Sequence, residues 1–183
     1  MTEKKRYESG DRTAAHYADL VHDHDAAVGR RTGGATERFR ADELPWEESP
    51  HGRLKHLANA DMGGALASMD AFILELPPGG RSGRHRHFAE ELVYVIEGRG
   101  HDRHWDPEPA IGEHGYVWPM PREEAATRWD WAAGDSIFVP PMVAHEHIND
   151  DPEQPVRLLC SMSRIYDSLG FGGIEQLEPA PGR

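Results

Sequence analysis

The stretch 79–91 constrains this chain more than any other part of it. It ends in His85-Arg86-His87 and Glu91, and a strand-like run, 92–96, follows directly. A second strand-like run, 136–139, leads through Pro140-Pro141 to His145 and His147. Alternate residues of a strand share a face, so His85 and His87 point the same way, as do His145, His147 and Asn149. Neutral imidazoles and a carboxylate are donors that divalent first-row metals prefer. Three histidines and a glutamate drawn from two segments make a mixed nitrogen and oxygen site. That points to metal chemistry rather than to a simple binding module.

The rest of the chain supplies strands around such a site. Residues 69–76 read as a strand, stopped by Pro77-Pro78-Gly79-Gly80. Residues 91–97 are the next, and Glu97-Gly98 reads as a tight hairpin turn from which 101–105 returns antiparallel. Segments 129–131, 136–139, 145–147 and 156–161 complete a set of short strands separated by Gly, Pro and Asp. This is the pattern of an antiparallel barrel or sandwich. Ahead of them, 11–30 reads as a helix. Asp11 caps it, Ala14, Ala15, Tyr17, Ala18, Leu20 and Val21 give it an apolar side, and Gly33-Gly34 ends it. The chain therefore divides into an N-terminal arm, partly helical, over 1–50, a barrel over 51–165, and a Gly- and Pro-rich C-terminal tail over 166–183 that wraps the surface.

Composition narrows the partners. With 20 basic against 32 acidic residues the net charge is −12, which argues against nucleic acid or an anionic membrane surface. Cys160 is the only cysteine, so no intrachain disulfide forms and no zinc-finger spacing exists. The charged N-terminus lacks the apolar stretch of a secretory signal, and no run approaches the ~20 apolar residues of a membrane span. A soluble cytoplasmic protein is expected. His22-Asp23-His24-Asp25 reads as a solvated charged face, because adjacent helix residues point in different directions and cannot converge on one ion.

These residues resemble the cupin superfamily. The first cupin motif, G-x5-H-x-H-x3,4-E-x6-G, is matched at every fixed position by Gly79, His85, His87, Glu91 and Gly98. The second, G-x5-P-x-G-x2-H-x3-N, is matched by Gly134, Pro140, His145 and Asn149, with Met142 in place of the middle glycine. The strand pattern extends the resemblance to about 54–163. It implies an all-β cupin double-stranded β-helix (jelly-roll) barrel with an N-terminal helical arm. It also implies one divalent metal ion per chain, bound by His85, His87, Glu91 and His145. Iron, manganese, nickel, cobalt and zinc forms all occur in cupins. Dioxygenases, decarboxylases, isomerases, lyases and non-catalytic proteins share the site, so the motifs speak for fold and metal more than for reaction.

Further candidates come from strand geometry. Glu90 competes with Glu91, but alternation puts Glu91 on the face of Val93 and Val95, and the motif spacing agrees. In the hairpin register Ile96 pairs with Arg99, which sets Val93 opposite Asp102 and Glu91 opposite His104. Directly opposite residues share a face, so Asp102 and His104 fall inside the barrel as candidate catalytic groups, a placement that a one-residue slip would reverse. His147 is a further inward imidazole, read either as a general acid/base or as a partner for buried polar atoms. Arg81, Arg84, Arg86, Arg99 and Arg103 offer a carboxylate clamp or balance for the acidic surface, and the second role is expected for most. The spacer 99–133 carries Trp105, Trp118, Trp129 and Trp131. It is read as a loop that shapes a substrate pocket beside the barrel mouth, with at least two of its Trp residues packed in the core. Tyr94 faces away from the metal, and Cys160 is buried and inert.

The leading expectation is a metal-dependent enzyme acting on a phenolic or enolic acid, foremost an Fe(II) dioxygenase using dioxygen. The alternative is a non-oxidative lyase, isomerase or decarboxylase using Zn, Mn or Ni, with His147, Asp102 or Tyr94 moving protons. A third is a metal-containing binding protein without turnover. A homodimer formed through barrel edges is expected, with Trp46 and Leu54 anchoring the arm to such an edge.

Overall fold

A computed structural model describes residues 38–182 apart from 60, 61, 64, 65, 67 and 114. The helix read over 11–30 and the charged run at 22–25 lie outside the described residues. The described chain is built from β1 (Glu47–Glu48), β2 (Arg53–Ala58), β3 (Met69–Leu76), β4 (Arg84–His87), β5 (Glu91–Glu97), β6 (Arg99–Trp105), β7 (Ala110–Gly112), β8 (Gly115–Val117), β9 (Thr127–Ala132), β10 (Ser136–Val139), β11 (Ala144–Asn149), β12 (Val156–Ser163) and β13 (Ile174–Glu178). One sheet runs β1-β2-β3-β12-β5-β10, a second runs β13-β4-β11-β6-β9, and β7-β8 form a separate ribbon. The pairings are antiparallel, and the two large sheets pack as the all-β barrel expected from the sequence. No helix among the described residues is long and apolar enough to cross a membrane.

The first sheet turns a clean alternation inward. In β5, Val93 and Val95 are buried while Leu92, Tyr94 and Ile96 stand outside. Phe72, Leu74 and Leu76 from β3, Ile137 and Val139 from β10, and Val156, Leu158 and Cys160 from β12 complete an apolar cluster. Burying such side chains contributes about 1.5–3 kcal/mol each. Leu54 belongs to this cluster, and Trp46 stacks over Arg53, 4.5 Å from guanidinium to ring centre. The segment ahead of β2 is thereby stitched to the sheet.

Two sequence expectations need correction. Glu97-Gly98 is not a hairpin turn. β5 pairs with β12 and β10, and β6 pairs with β11 and β9. Gly98 (φ 94°) makes a corner that passes the chain from one sheet to the other. A β-carbon there would lie 2.4 Å from Val156 Cγ2, so only glycine lets the corner close against β12. The C-terminal tail is also more than a surface wrap. Its residues 174–178 form β13 and pair with β4, Ile174 opposite His87 and Gln176 opposite His85.

The motif departure at Met142 has a conformational meaning. Met142 adopts φ 61°, in the left-handed region where glycine is the residue without steric penalty. Its N–H donates to the His87 carbonyl at 2.8 Å, tying the turn before β11 to the end of β4. The turn keeps the glycine conformation with a methionine in it.

Candidate metal centre

Three strands supply the cluster. β4 and β11 are adjacent, with His145 directly opposite His85. β5 approaches from the other sheet and sends Glu91 across the barrel. His85, His87, Glu91 and His145 are all buried, and one donor atom from each lies within 4.8 Å of the others. His87 Nε2 and His145 Nε2 are each 3.2 Å from Glu91 Oε2. Glu90 is exposed and takes no part.

The backbone orients each imidazole in the same way. Nδ1 of His85 faces the Gly83 carbonyl at 3.3 Å, Nδ1 of His87 the Ala89 carbonyl at 2.7 Å, and Nδ1 of His145 the Val143 carbonyl at 3.0 Å. Placing the ring proton on Nδ1 leaves Nε2 as a lone-pair donor, the arrangement that fixes metal-ligating histidines. Two such lone pairs then face one carboxylate oxygen, and Glu91 Oε1 has no hydrogen-bond partner. A shared cation would satisfy these groups together, so the residues fit a divalent metal. This is a buried His/Glu metal site.

The electrostatics agree. Burial raises the Glu91 carboxyl, but the hydrogen bonds and charges of His145 and His87 outweigh it and hold the group well below the usual carboxylate range. Burial drives His85 well below an ordinary histidine, helped by His145, His51 and His87 and opposed by Glu91. Burial also lowers His145, against the pull of Glu91. Metal binding needs ionised carboxylate and neutral imidazole, the forms favoured for Glu91, His85 and His145.

Asp102 and His104 lie inside the barrel, though for a different reason from the one read in the sequence. β6 is not the hairpin partner of β5. It pairs with β11, which puts His104 opposite His145 and Asp102 opposite His147. Asp102 is a hub: its Oδ1 accepts from Trp131 Nε1 at 2.7 Å and from His147 Nδ1 at 2.8 Å, and its Oδ2 lies 3.4 Å from His104 Nε2. Burial pushes Asp102 up, but His147, His104 and Trp131 together keep it below the usual range. Burial pulls His147 down, and the charge and hydrogen bond of Asp102, with Glu91 and Glu146, more than reverse this. His147 Nε2 has no hydrogen-bond partner.

Sequence reasoning missed two contributors. Ser82 is fully buried, and its Oγ accepts the His147 backbone N–H at 2.9 Å, which locks β11 to the segment before β4. His51 packs edge-on against His85, with ring centres 4.3 Å apart. Burial, with the charges of His147 and His145, lowers His51 to about 3 against the pull of Glu91 and the Gly83 backbone. A lone histidine ahead of the first long strand carries no spacing signal, so nothing in the sequence pointed to it.

Other candidates sit outside the centre. Arg81 and Arg103 bind the buried Glu146 carboxylate at 3.2 and 3.1 Å on the outer face of the second sheet. Arg84 faces Glu123 at 3.0 Å, and Arg86 faces Glu175 at 2.7 Å. Arg99 is 3.8 Å from Asp151, so these five balance acidic groups and none clamps a ligand beside the cluster. Tyr94 is on the outer face, which removes it as a mover of protons at this site. Asn149 is a brace: its Nδ2 donates to the Pro77 and Gln154 carbonyls at 2.9 and 2.8 Å. Cys160 is fully buried, and burial with the charges of Glu91 and Asp102 raises its thiol well above the ordinary value. Of the four spacer Trp residues, Trp105 and Trp131 are buried, while Trp129 is exposed. Trp105 packs on the outer face, with the Arg84 guanidinium 4.1 Å above its ring.

A cleft borders this interior from the side. It measures about 490 Å³ and lies between β9 and β10, lined by His104, Trp129, Trp131, Ile137 and Phe138 among others. Its inner wall, His104, is 6.0 Å from His145 between ring centres.

Solved structures with the same architecture include two oxalate decarboxylases and a polyketide cyclase. The oxalate decarboxylase of Lactobacillus farciminis, in its formate complex, superposes with a TM-score of 0.57 at 19% identity, over 76% of this chain and 35% of that one. The oxalate decarboxylase of Bacillus subtilis gives 0.56 at 18% identity, over 76% and 31%. The polyketide cyclase RemF of Streptomyces resistomycificus gives 0.53 at 16% identity, over 78% and 85%. The chain thus spans about a third of the length of the decarboxylases it matches. No family model matches the sequence, and no curated protein does. The fold is that of the cupins, as the two motifs implied.

Proposed function

We propose that this chain is a metal-dependent enzyme that transforms a small organic acid without consuming dioxygen, by a decarboxylase, lyase or isomerase reaction. The observation that carries this is the Asp102–His147 pair beside the His85, His87, Glu91 and His145 cluster: a buried proton carrier next to a buried metal site. An Fe(II) dioxygenase, the leading expectation from the sequence, gains no support from a decarboxylase and a cyclase as structural neighbours, and the non-oxidative alternative fits them better. The Bacillus subtilis decarboxylase has Mn(II) centres, so Mn(II) is the first metal to test, with Zn(II) and Ni(II) behind it.

Bound by those four residues, a divalent ion supplies Lewis acidity that stabilises negative charge on a substrate oxygen. The protein does the rest. The aromatic cleft between β9 and β10 admits the acid, and Trp129 and Phe138 flank its path. His147 presents Nε2 to the interior and gives or takes a proton there. Asp102 holds the opposite nitrogen, Nδ1, so the ring keeps one orientation. Trp131 fixes Asp102 in turn. His104, between Asp102 and the cleft, passes protons between the hub and solvent. The apolar face of the first sheet excludes bulk water.

The barrel over 51–165 is the unit we expect to carry this activity, as a homodimer whose state light scattering would report. The deciding experiment is turnover of a panel of oxalate, 2-oxo acids and enolic acids by Mn(II)-loaded protein under nitrogen. Anaerobic product formation, abolished in His85→Ala along with the metal, supports the proposal. Turnover only with Fe(II) and stoichiometric oxygen uptake would reverse it in favour of the dioxygenase.

A further inference from the structure

Among the described residues, His51 is the one interior imidazole that neither cupin motif nor strand pattern accounts for, and the structure goes to some length to place it. It sits in the turn between β1 and β2. Ser49 and Gly52 close that turn with reciprocal backbone hydrogen bonds of 2.9 and 3.1 Å, and Ser49 Oγ accepts the His51 N–H at 3.2 Å. The turn is then pinned to the rest of the barrel. The His51 carbonyl accepts from Gly83 N at 2.8 Å, and the Pro50 carbonyl accepts from Ala180 N at 2.7 Å. The approach to residue 83 is close enough that a β-carbon there would lie 2.4 Å from the Pro50 oxygen. Glycine at 83 is therefore a condition for the turn to seat.

The seated turn drives the imidazole into the centre. Its ring centre is 4.3 Å from His85, close to the 4.2 Å between His85 and His145, and 6.1 Å from His147. Yet His51 is not among the donors that lie within 4.8 Å of one another. It stands beside the ligand set. Both of its nitrogens are shut off from water and, apart from the pull of the Gly83 backbone, lack a well-formed hydrogen bond, as does His147 Nε2. Buried polar atoms without partners are costly, and here the two rings that carry them lie 6.1 Å apart between centres.

We propose that His51 is a substrate-binding residue, whose ring N–H hydrogen-bonds an oxyanion, carboxylate or enolate, of the organic acid seated beside His85 and His147. The inference rests on the reading that this centre acts on small organic acids. An imidazole carries at least one N–H in either protonation state, so the contact is available throughout the working range. A hydrogen bond to a charged group contributes about 1.5–3 kcal/mol, which corresponds to roughly a tenfold to hundredfold change in affinity.

The test uses the full chain loaded with Mn(II) and two probes, oxalate and pyruvate, titrated by calorimetry, with metal content measured alongside. His51→Phe keeps a ring in the turn and removes both nitrogens, so it separates the hydrogen bond from packing. It should retain wild-type metal content and bind the probes about tenfold to a hundredfold more weakly. Gly83→Ala, which leaves His51 intact but displaces the turn, should shift affinity in the same direction. Unchanged probe affinity in His51→Phe would overturn the proposal, leaving the imidazole a packing group. Metal loss equal to that of His85→Ala would overturn it in another way, by making His51 a ligand. Wild-type protein that holds Mn(II) but binds neither acid would instead sink the organic-acid reading, and this inference with it.

Discussion

The inward face of the first sheet carries Phe72, Leu74, Leu76, Val93, Val95, Val139, Val156 and Leu158, while the second sheet turns His85, His87, Asp102, His104, His145 and His147 toward the same space. One wall of the barrel is a hydrocarbon surface and the other a set of titratable groups. Glu91 is the exception. It begins an apolar strand of the first sheet and reaches across to the histidines. Stability and chemistry are thus divided between two sheets, and substitutions should separate them. The apolar wall gains from burial alone and needs no partner. The polar wall is stable only if each group is satisfied, and several of its atoms find no partner within the protein.

The largest effects should fall on opposite properties. Leu74→Ala, at a fully buried position, should lower unfolding free energy by about 2–5 kcal/mol and leave metal stoichiometry in the folded fraction unchanged. His145→Ala should do the reverse: near-complete loss of bound metal by elemental analysis, with the apolar cluster intact. In the metal-free state relief of a crowd of buried imidazoles offsets the lost contact to Glu91, so the variant should lose less stability than Leu74→Ala. Equal loss of stability in both would mean that the two walls do not work separately.

Acid should act on the polar wall alone. His51, His85 and His145 have folded values below the ordinary 6.5, so the unfolded chain binds more protons than the native one once pH falls under that value. Stability is then full above about pH 6.5 and declines below it, by about 1.4 kcal/mol per pH unit for each such histidine. His147, raised in the fold, works in the opposite sense. Its contribution is present below 6.5 and disappears as pH rises through its folded value. Metal-free protein should therefore show a falling urea midpoint from pH 6.5 to 5, and His51→Phe should flatten that fall. A profile level across this window would show that the histidines are not buried neutral.

A smaller effect should come from the brace between the walls. Trp131→Phe keeps most of the buried ring but removes the 2.7 Å hydrogen bond to Asp102. An unsatisfied buried acceptor costs about 1–3 kcal/mol, and Asp102 still holds its bond to His147, so the lower end is expected. The test is a paired one: the denaturant midpoint should drop modestly, while the pH dependence of turnover moves because the His147 partner is perturbed. A change in midpoint with an unaltered pH profile would make Trp131 purely structural.

Much of this was legible in the sequence, and the failures have one physical origin. Alternation within a strand is local, so β3, β5 and β10 could be read residue by residue, and Glu91 could be separated from Glu90. Strand pairing is not local. Glu97-Gly98 has the composition of a hairpin turn, yet Gly98 packs against Val156, far along the chain, and this contact turns the corner into a crossover. Asp102 and His104 still reached the interior, because β11 sets His147 and His145 opposite them, the same parity as the hairpin register gave. His51 was invisible for a stricter reason. Its position depends on Gly83 and Ala180 holding a short turn in place, and no spacing rule links residues 51, 83 and 180. The metal and the reaction are further still from the pattern, since four donors define a cation but not what else enters.

The smallest effect tests the junction between β4 and β11, where Met142 occupies a glycine conformation. A non-glycine residue with φ 61° costs roughly 1–2 kcal/mol in strain. Its side chain is almost fully buried and gains about 1.5–3 kcal/mol in return. Met142→Gly relieves the first and forfeits the second, so a net loss of about 1 kcal/mol is expected. Met142→Ala forfeits most of the packing and keeps the strain, and should be worse than glycine by about 1 kcal/mol. That order inverts the one usual for ordered positions, where glycine is the more destabilising of the two. Because Met142 N–H holds the His87 carbonyl, the same pair reports on the site. If alanine proves more stable than glycine, the left-handed turn has relaxed, and metal affinity should change with it.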